Sequence, residues 1–339
     1  MSGGVDSSVA AYLLTEAGYK VQGIHLELSY NSFIKPETEH SVLERSCELL
    51  KIPLHCLHLE IPFKRNIIDY FCQEYSLGRT PNPCIRCNQT IKFGLLLEKV
   101  LEMGGDYLAT GHYAWVNTVA GGYGLYKGVD KTKDQSYFLY VLGQKQLEHV
   151  LFPLGGMTKK QVKQLAASAG LPTSEIRESQ DICFIPDNDS KNYLANHLAI
   201  NPGEIVDNEG NVLGQHRGLA FYTVGQRQGM RISSKERLYV IRLETCKNRL
   251  VIGPQTQLFK SRLIARGLNW ITGNQPQDID QLVAKLRYRS PEAKARLQMV
   301  GDTLEVCFEE PQRAIASGQS IVFYREDRVI GGGIIEEAF

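Results

Sequence analysis

Apolar residues recur at helical spacing from Val5 to Leu14, stop at Gly18, and give way to a strand-like run from Tyr19 to Leu28. The alternation then continues. Helical spacing returns over 39–50, a short apolar run follows over 54–60, and a second helical pattern covers 63–75. A Pro-rich loop, Arg79-Thr80-Pro81-Asn82-Pro83-Cys84, leads to a helix over 91–103 and a short apolar strand over 107–110. Strands separated by helices predict an α/β domain with a doubly wound parallel sheet. Gly121 to Gly128 predicts a hairpin turn, and 135–150 a helix rich in aromatics. Thr158 and Gln161 are placed as a capping box opening a helix that Gly170 closes. From Asn201 the runs become short and β-like, and from Arg262 they lengthen and alternate. The expected organisation is an α/β domain over 1–200, a small β-rich domain over 201–262 and a C-terminal β-barrel over 263–339.

Composition narrows the class. With 43% hydrophobic and 22% charged residues the chain is ordinary globular protein, and 339 residues predict two or three domains. No apolar run approaches the roughly 18 residues that span a bilayer, and no secretory leader pattern is present. A soluble cytoplasmic protein with no membrane partner is expected. A net charge of +1 argues against a globally basic coat for DNA, but leaves room for local basic faces at 227–249 and 285–296. Eight cysteines in such a chain do not read as a disulfide framework. Cys47, Cys56, Cys72, Cys246 and Cys307 fall in apolar or amphipathic runs and are expected to be small buried hydrophobes.

The opening, Met1-Ser2-Gly3-Gly4-Val5-Asp6-Ser7-Ser8, is a glycine loop feeding a helix. Unpaired N–H groups and the helix dipole at such a junction suit a phosphate or pyrophosphate, and Gly3 and Gly4 allow close backbone approach. Ser7 and Ser8 can donate to phosphate oxygens, and Asp6 is a candidate ligand for Mg2+. No Gly-Lys-Ser/Thr follows, so this is not a Walker loop. Loops of this kind end a buried parallel strand, which leads us to expect such a strand upstream of Met1.

Cys84-Ile85-Arg86-Cys87 is a C-x-x-C on a stiff loop entering a helix. Helix start and Arg86 together predict lowered thiol pKa values. Half of a zinc site, a redox dithiol and a nucleophile with a distant partner are the three readings. Cys183, in Ile182-Cys183-Phe184-Ile185, is either a structural thiol or that partner.

Taken in order, the opening loop, Gly78-Arg79-Thr80-Pro81-Asn82-Pro83…Cys87-Asn88, Ile91-Lys92-Phe93, Ala109-Thr110-Gly111-His112-Tyr113, Lys133-Asp134-Gln135-Ser136-Tyr137-Phe138-Leu139, Ile182-Cys183-Phe184-Ile185, Gly225-Gln226-Arg227 and Gly331-Gly332-Gly333 resemble the tRNA-specific 2-thiouridylases, PP-loop ATP pyrophosphatases. The resemblance implies ATP over Met1 to Ser7, with Leu26 and Gly111 at the nucleotide. It implies adenylation of the C2 oxygen of the wobble uridine, a persulfide on Cys183 charged by a sulfur-donor protein, and Cys87 as the thiol that frees the sulfur by pairing with Cys183. Asn82, Pro83 and Cys84 would flank the flipped base of the anticodon loop. Lys133, Asp134, Gln135, Arg287 and Tyr288 would contact tRNA. The commonest family version has Asp where this chain has Cys84, so an acid–base role is not carried over. Cys84, Cys87 and Cys183 could instead hold a [4Fe–4S] cluster. The rival reading is a PP-loop ligase or amidotransferase acting on a small molecule, which would need neither Cys87 nor Cys183. His112 is given no catalytic role.

Overall fold

The computed structural model describes residues 1–28, 37–172, 182–276 and 282–339. Its first region is α/β. Helix α1 (Val5–Glu16) leads into strand β1 (Gly23–Glu27), and helix α2 (Glu37–Leu50) into β2 (Leu54–His58). β1 and β2 pair in parallel, from Gly23 opposite Leu54 to Glu27 opposite His58. A second parallel pair joins β3 (Leu108–Ala109) to β6 (Val150–Leu151). α2 begins at Glu37, two residues before the expected start.

Two helical runs follow β2, over 60–76 and 83–102, separated by the Pro-rich loop, and each changes register, with π-helical turns at Lys64–Ile68 and at Asn88–Leu96. The second follows Cys87 directly, the kind of place where such turns gather at functional sites. Thr158 caps its helix as expected: its hydroxyl accepts from Gln161 N, and Gln161 Oε1 accepts from Thr158 N at 2.8 Å. The helix expected over 135–150 does not form. Ser136–Leu139 is a single 3-10 turn and Gln144–Leu147 a single helical turn. The reason is tertiary. Tyr137 and Tyr140 are fully buried, and their hydroxyls reach Ser320 O at 2.8 Å and Ser320 Oγ at 3.1 Å in the C-terminal sheet.

The middle region is a four-stranded sheet of β7 (Gly203–Val206), β8 (Val212–His216), β9 (Leu238–Glu244) and β10 (Arg249–Pro254), in the order β8-β7-β10-β9. Ile205, Val240, Leu250 and Ile252 form its core. The C-terminal barrel closes six strands: β11 (Phe259–Trp270), β12 (Val283–Lys285), β13 (Ala293–Val300), β14 (Thr303–Arg313), β15 (Ser320–Arg325) and β16 (Arg328–Ala338). β11 pairs with both β14 and β16, which completes the circle and removes exposed edges. The hairpin of β4 (Ala114–Val119) and β5 (Gly122–Lys127) lies in the first region by sequence, yet β5 adds to β16. One core cluster accordingly runs from Phe93, Leu97 and Tyr137 into Val322 and Val329 of the barrel. Cys47 and Cys72 are buried as expected, whereas Cys56 and Cys246 are exposed. Cys56 is in β2, which pairs only with β1 among the described residues. No described helix is long and apolar enough to cross a membrane.

Where the three regions meet, Thr80 N donates to Ser317 O at 2.8 Å, Gln319 Nε2 donates to Thr80 O at 2.9 Å, and Thr80 Oγ1 donates to Thr223 Oγ1 at 3.2 Å. Arg287 completes the junction from the barrel side. Its Nη2 donates to Ala314 O at 2.6 Å and to Val224 O at 3.3 Å. Replacing Arg287 by Ala leaves both carbonyls without this charged donor and is expected to cost about 1.5–3 kcal/mol, read as a lower urea midpoint than wild type; an unchanged midpoint contradicts this account of the junction.

Candidate functional site

Gly4 is the residue before α1, in extended conformation, and no side chain caps the helix. Gly3 takes a φ of +78°, turning the chain back over the first helical turn. Ser7 holds that turn. Its hydroxyl donates to Gly4 O at 3.0 Å and accepts from Ser2 N at 3.2 Å. Met1 is tied from the strand side, its carbonyl accepting from His25 Nδ1 at 2.9 Å. The result is a pinned glycine turn whose helix N-terminus has no side-chain acceptor of its own, an arrangement that binds anions. Val5 and Ser8 are buried beneath it, and Leu26 packs at the end of β1 between two core clusters.

Gly111 touches this loop directly. A Cβ at Gly111 would stand 2.7 Å from the Asp6 carbonyl carbon and 2.9 Å from its oxygen, so only glycine allows the approach. Two residues on, Tyr113 OH donates to Asp6 Oδ1 at 2.8 Å, and Lys159 Nζ sits 2.7 Å from both carboxylate oxygens. The Asp6 carboxylate is therefore already neutralised. A Mg2+ ion there would have to displace an ammonium group, so the expected ion ligand does not fit as it stands. Lys159 was not singled out in the sequence. The available signal was its place at the first position of a capped helix, where a cation opposes the dipole.

The Pro-rich loop enters the helix Pro83–Cys87 through Asn82, whose Oδ1 accepts from Ile85 N at 3.3 Å, with Pro83 buried at the first position. Cys84 is exposed on this helix and Cys87 is buried. Cys87 packs in one cluster with Phe63, Phe71 and Phe184. Phe184 is anchored by edge contacts to Phe71 at 5.3 Å and Tyr193 at 5.5 Å, and so brings exposed Cys183 onto the same core. The three thiols act electrostatically on one another.

Lowered pKa values were expected here, and the structure overturns that. Burial pushes the Cys87 thiol up to about 12, Lys92 opposes it, and Cys183 and Cys84 add to it. Cys84 is also raised, by desolvation and then by Cys183, although the residue as a whole is exposed. The Arg86 guanidinium does not help: it faces Gln89 Oε1 at 3.2 Å and the Tyr70 ring at 5.4 Å. Lys92, on the π-helical turn after Cys87, is the cation acting on both thiols and on His112. His112 is held neutral, its pKa well below the ordinary value because of burial and then Lys92. Its Nδ1 lies 2.8 Å from Thr110 Oγ1, and its ring packs 5.8 Å from those of Phe93 and Phe152. A chain of neighbours thus runs from Asp6 through Gly111, His112 and Lys92 to Cys87. Among the described residues one group of three metal-ligating side chains has its ligand atoms within 4.8 Å of one another, Glu27, His58 and Glu60; the three thiols are spaced wider.

The residues expected to contact tRNA divide by what they touch. Asp134 is buried, its carboxylate accepting from Gly128 N, Ser136 N and Ser136 Oγ. Gln135 Oε1 accepts from Tyr113 N at 3.1 Å, supporting the segment that grips Asp6. Arg287 is occupied at the junction described above. Tyr288 is half-buried against Phe138, ring centres 4.6 Å apart, with Lys285 Nζ 6.0 Å from its centre. Phe138 O accepts from Asn88 Nδ2 at 3.0 Å, which ties this aromatic patch to the residue after Cys87. Lys133 is partly exposed.

Family comparisons cover nearly the whole chain. Residues 1–187 match a tRNA methyl transferase HUP domain, 191–254 a tRNA methyl transferase PRC-barrel domain, and 260–335 an aminomethyltransferase beta-barrel domain. The chain is 43% identical over 347 residues to a tRNA-specific 2-thiouridylase from Clostridium perfringens, covering 99% of this chain and 97% of the relative. It is 46% identical to one from Geotalea uraniireducens, covering 100% and 94%. A third, from Carboxydothermus hydrogenoformans, is 44% identical, covering 99% and 96%.

Two outcomes are expected from this geometry. Gly111→Ala forces the Asp6 backbone away and should weaken adenine-nucleotide binding at least tenfold, about 1.4 kcal/mol, by calorimetry; unchanged affinity would separate Gly111 from the anion site. Lys92→Gln removes the cation that opposes burial, so the pH at which Cys84 becomes half-alkylatable should rise. A midpoint that stays put or falls would refute the placement of Lys92.

Proposed function

The chain belongs to the tRNA-specific 2-thiouridylase family, and on that premise we propose that it replaces the C2 oxygen of a tRNA wobble uridine with sulfur at the expense of ATP. The observation that carries this reading is the juxtaposition through Gly111 and His112 of an uncapped helix N-terminus with a cluster of three thiols.

The pinned glycine turn at Met1–Ser7 holds the triphosphate through backbone N–H groups, and Gly111 keeps that loop in place. The uridine C2 oxygen attacks the α-phosphorus, pyrophosphate departs, and C2 carries AMP, a far better leaving group than oxide. Cys183, exposed next to Phe184, receives sulfur as a persulfide from a donor protein. Its terminal sulfur adds to C2 and AMP leaves. Cys87 then attacks the Cys183 sulfur, so that the S–S bond to the transferred atom breaks and a Cys87–Cys183 disulfide forms. The alternative order releases hydrosulfide first and consumes the same atoms. A thiol raised to about 12 must lose its proton for this, and Lys92 is the group that favours the anion. Asn82 and Pro83 form the rigid floor beside the base, while Tyr288 and Phe138 offer a stacking face with Lys133 and Lys285 near the phosphates. Asp134, Gln135 and Arg287 serve this surface as supports.

The three gathered thiols also support a second reading, in which they hold a [4Fe–4S] cluster that binds sulfide. Iron-free protein that still turns over rejects it.

Nucleoside mass spectrometry of tRNA after reaction with ATP and a persulfide source tests the main reading. Wild type should yield 2-thiouridine. Cys183→Ser should yield less than about a hundredth of that, about 2.7 kcal/mol in transition-state terms, while still releasing tRNA-dependent pyrophosphate. Thiolation that survives in Cys183→Ser overturns the role of Cys183. Pyrophosphate release that ignores tRNA points instead to a small-molecule ligase.

A further inference from the structure

Each turnover leaves Cys183 in a disulfide with Cys87, and Cys183 must return to a thiol before it can accept sulfur again. Cys87 is buried among Phe63, Phe71 and Phe184, so an external reductant cannot reach its sulfur. Cys84 stands in a different position. It is the second residue of the helix Pro83–Cys87, solvent-exposed, and three residues before Cys87, which places both thiols on one helix face. Cys183 is brought to the same place by Phe184.

We propose that Cys84 is the resolving thiol of the cycle: it attacks the Cys87 sulfur of the Cys87–Cys183 disulfide, expels Cys183 as a thiol and closes a Cys84–Cys87 disulfide. The inference rests on the function proposed above. One S–S bond breaks and one forms. The proton lost by Cys84 is taken up by Cys183, and no electron enters. Two electrons are needed only afterwards, when an external dithiol reductant opens Cys84–Cys87 from the side of Cys84, the more exposed residue of the pair. The sulfur acceptor itself is thereby kept clear of mixed disulfides. Cβ atoms three apart on a helix lie about 5–6 Å from each other, against roughly 3.5–4.5 Å in a disulfide, so the first turn must tighten by about 1–2 Å. That turn is short, and it opens the helix instead of lying inside it.

The mutual interaction of the three thiols agrees with this geometry. Cys84 and Cys87 each respond to Cys183, and Cys87 responds to Cys84.

A single turnover of wild-type protein with tRNA, ATP and one equivalent of a small-molecule persulfide, without other reductant, tests the proposal. After acid quench and alkylation, peptide mapping and nucleoside analysis are done on the same sample. The expected result is 2-thiouridine together with a Cys84–Cys87 disulfide and alkylated Cys183. In Cys84→Ser the Cys87–Cys183 disulfide should accumulate, and steady-state thiolation with a dithiol reductant should fall at least tenfold. If 2-thiouridine forms while wild type carries Cys87–Cys183 and alkylated Cys84, or no disulfide at all, the resolving role is overturned and the thiolase reading stands. If wild type forms no 2-thiouridine, both fall together.

Discussion

Thr80 is where the molecule is held together. Its N–H, carbonyl and hydroxyl are each engaged, the first two by the barrel and the third by the middle region. A Pro-rich loop cannot stabilise itself through regular backbone pairing, because its prolines lack N–H donors. Here the loop is fixed instead by hydrogen bonds from elements more than 140 residues away in sequence, including Thr80 to Thr223. Its rigidity is inherited from the closed barrel, and the thiols that follow at Cys84 and Cys87 are positioned by it.

The same logic runs through the aromatic segment after Gln135. Its residues have little reason to form a long helix, because Tyr137 and Tyr140 are drawn into the barrel core and bonded to Ser320. The segment becomes a strut. One end supports Tyr113 through Gln135, and so the carboxylate at the anion loop; the other presents Phe138 to Tyr288 and to Asn88. Residues that look like a row of RNA contacts in sequence are divided between support and surface. A motif records that its residues matter together, without recording which of them face solvent.

The electrostatics of the site follow from burial outweighing local charge. A helix start and a neighbouring arginine each favour a thiolate by modest amounts. Enclosure of Cys87 by aromatic side chains acts the other way and dominates. Thiols kept protonated are protected against stray oxidation, and Lys92 supplies the opposing field from the π-helical turn after Cys87.

Much was legible in the chain itself. The glycine loop feeding α1, the Thr158–Gln161 cap and the switch from helix–strand alternation to β runs all depend on residues within a few positions of one another, and local sterics and hydrogen bonding decide them. What tertiary structure alone decided involves partners far apart in sequence: Lys159 on Asp6, the β4–β5 hairpin on the barrel, Arg287 spent on two carbonyls, and the raised pKa values at Cys84 and Cys87. Solvent exposure and long-range pairing are properties of the packed whole. Hydrophobic periodicity names the face that will be covered, and the chain that covers it is chosen only when the core closes.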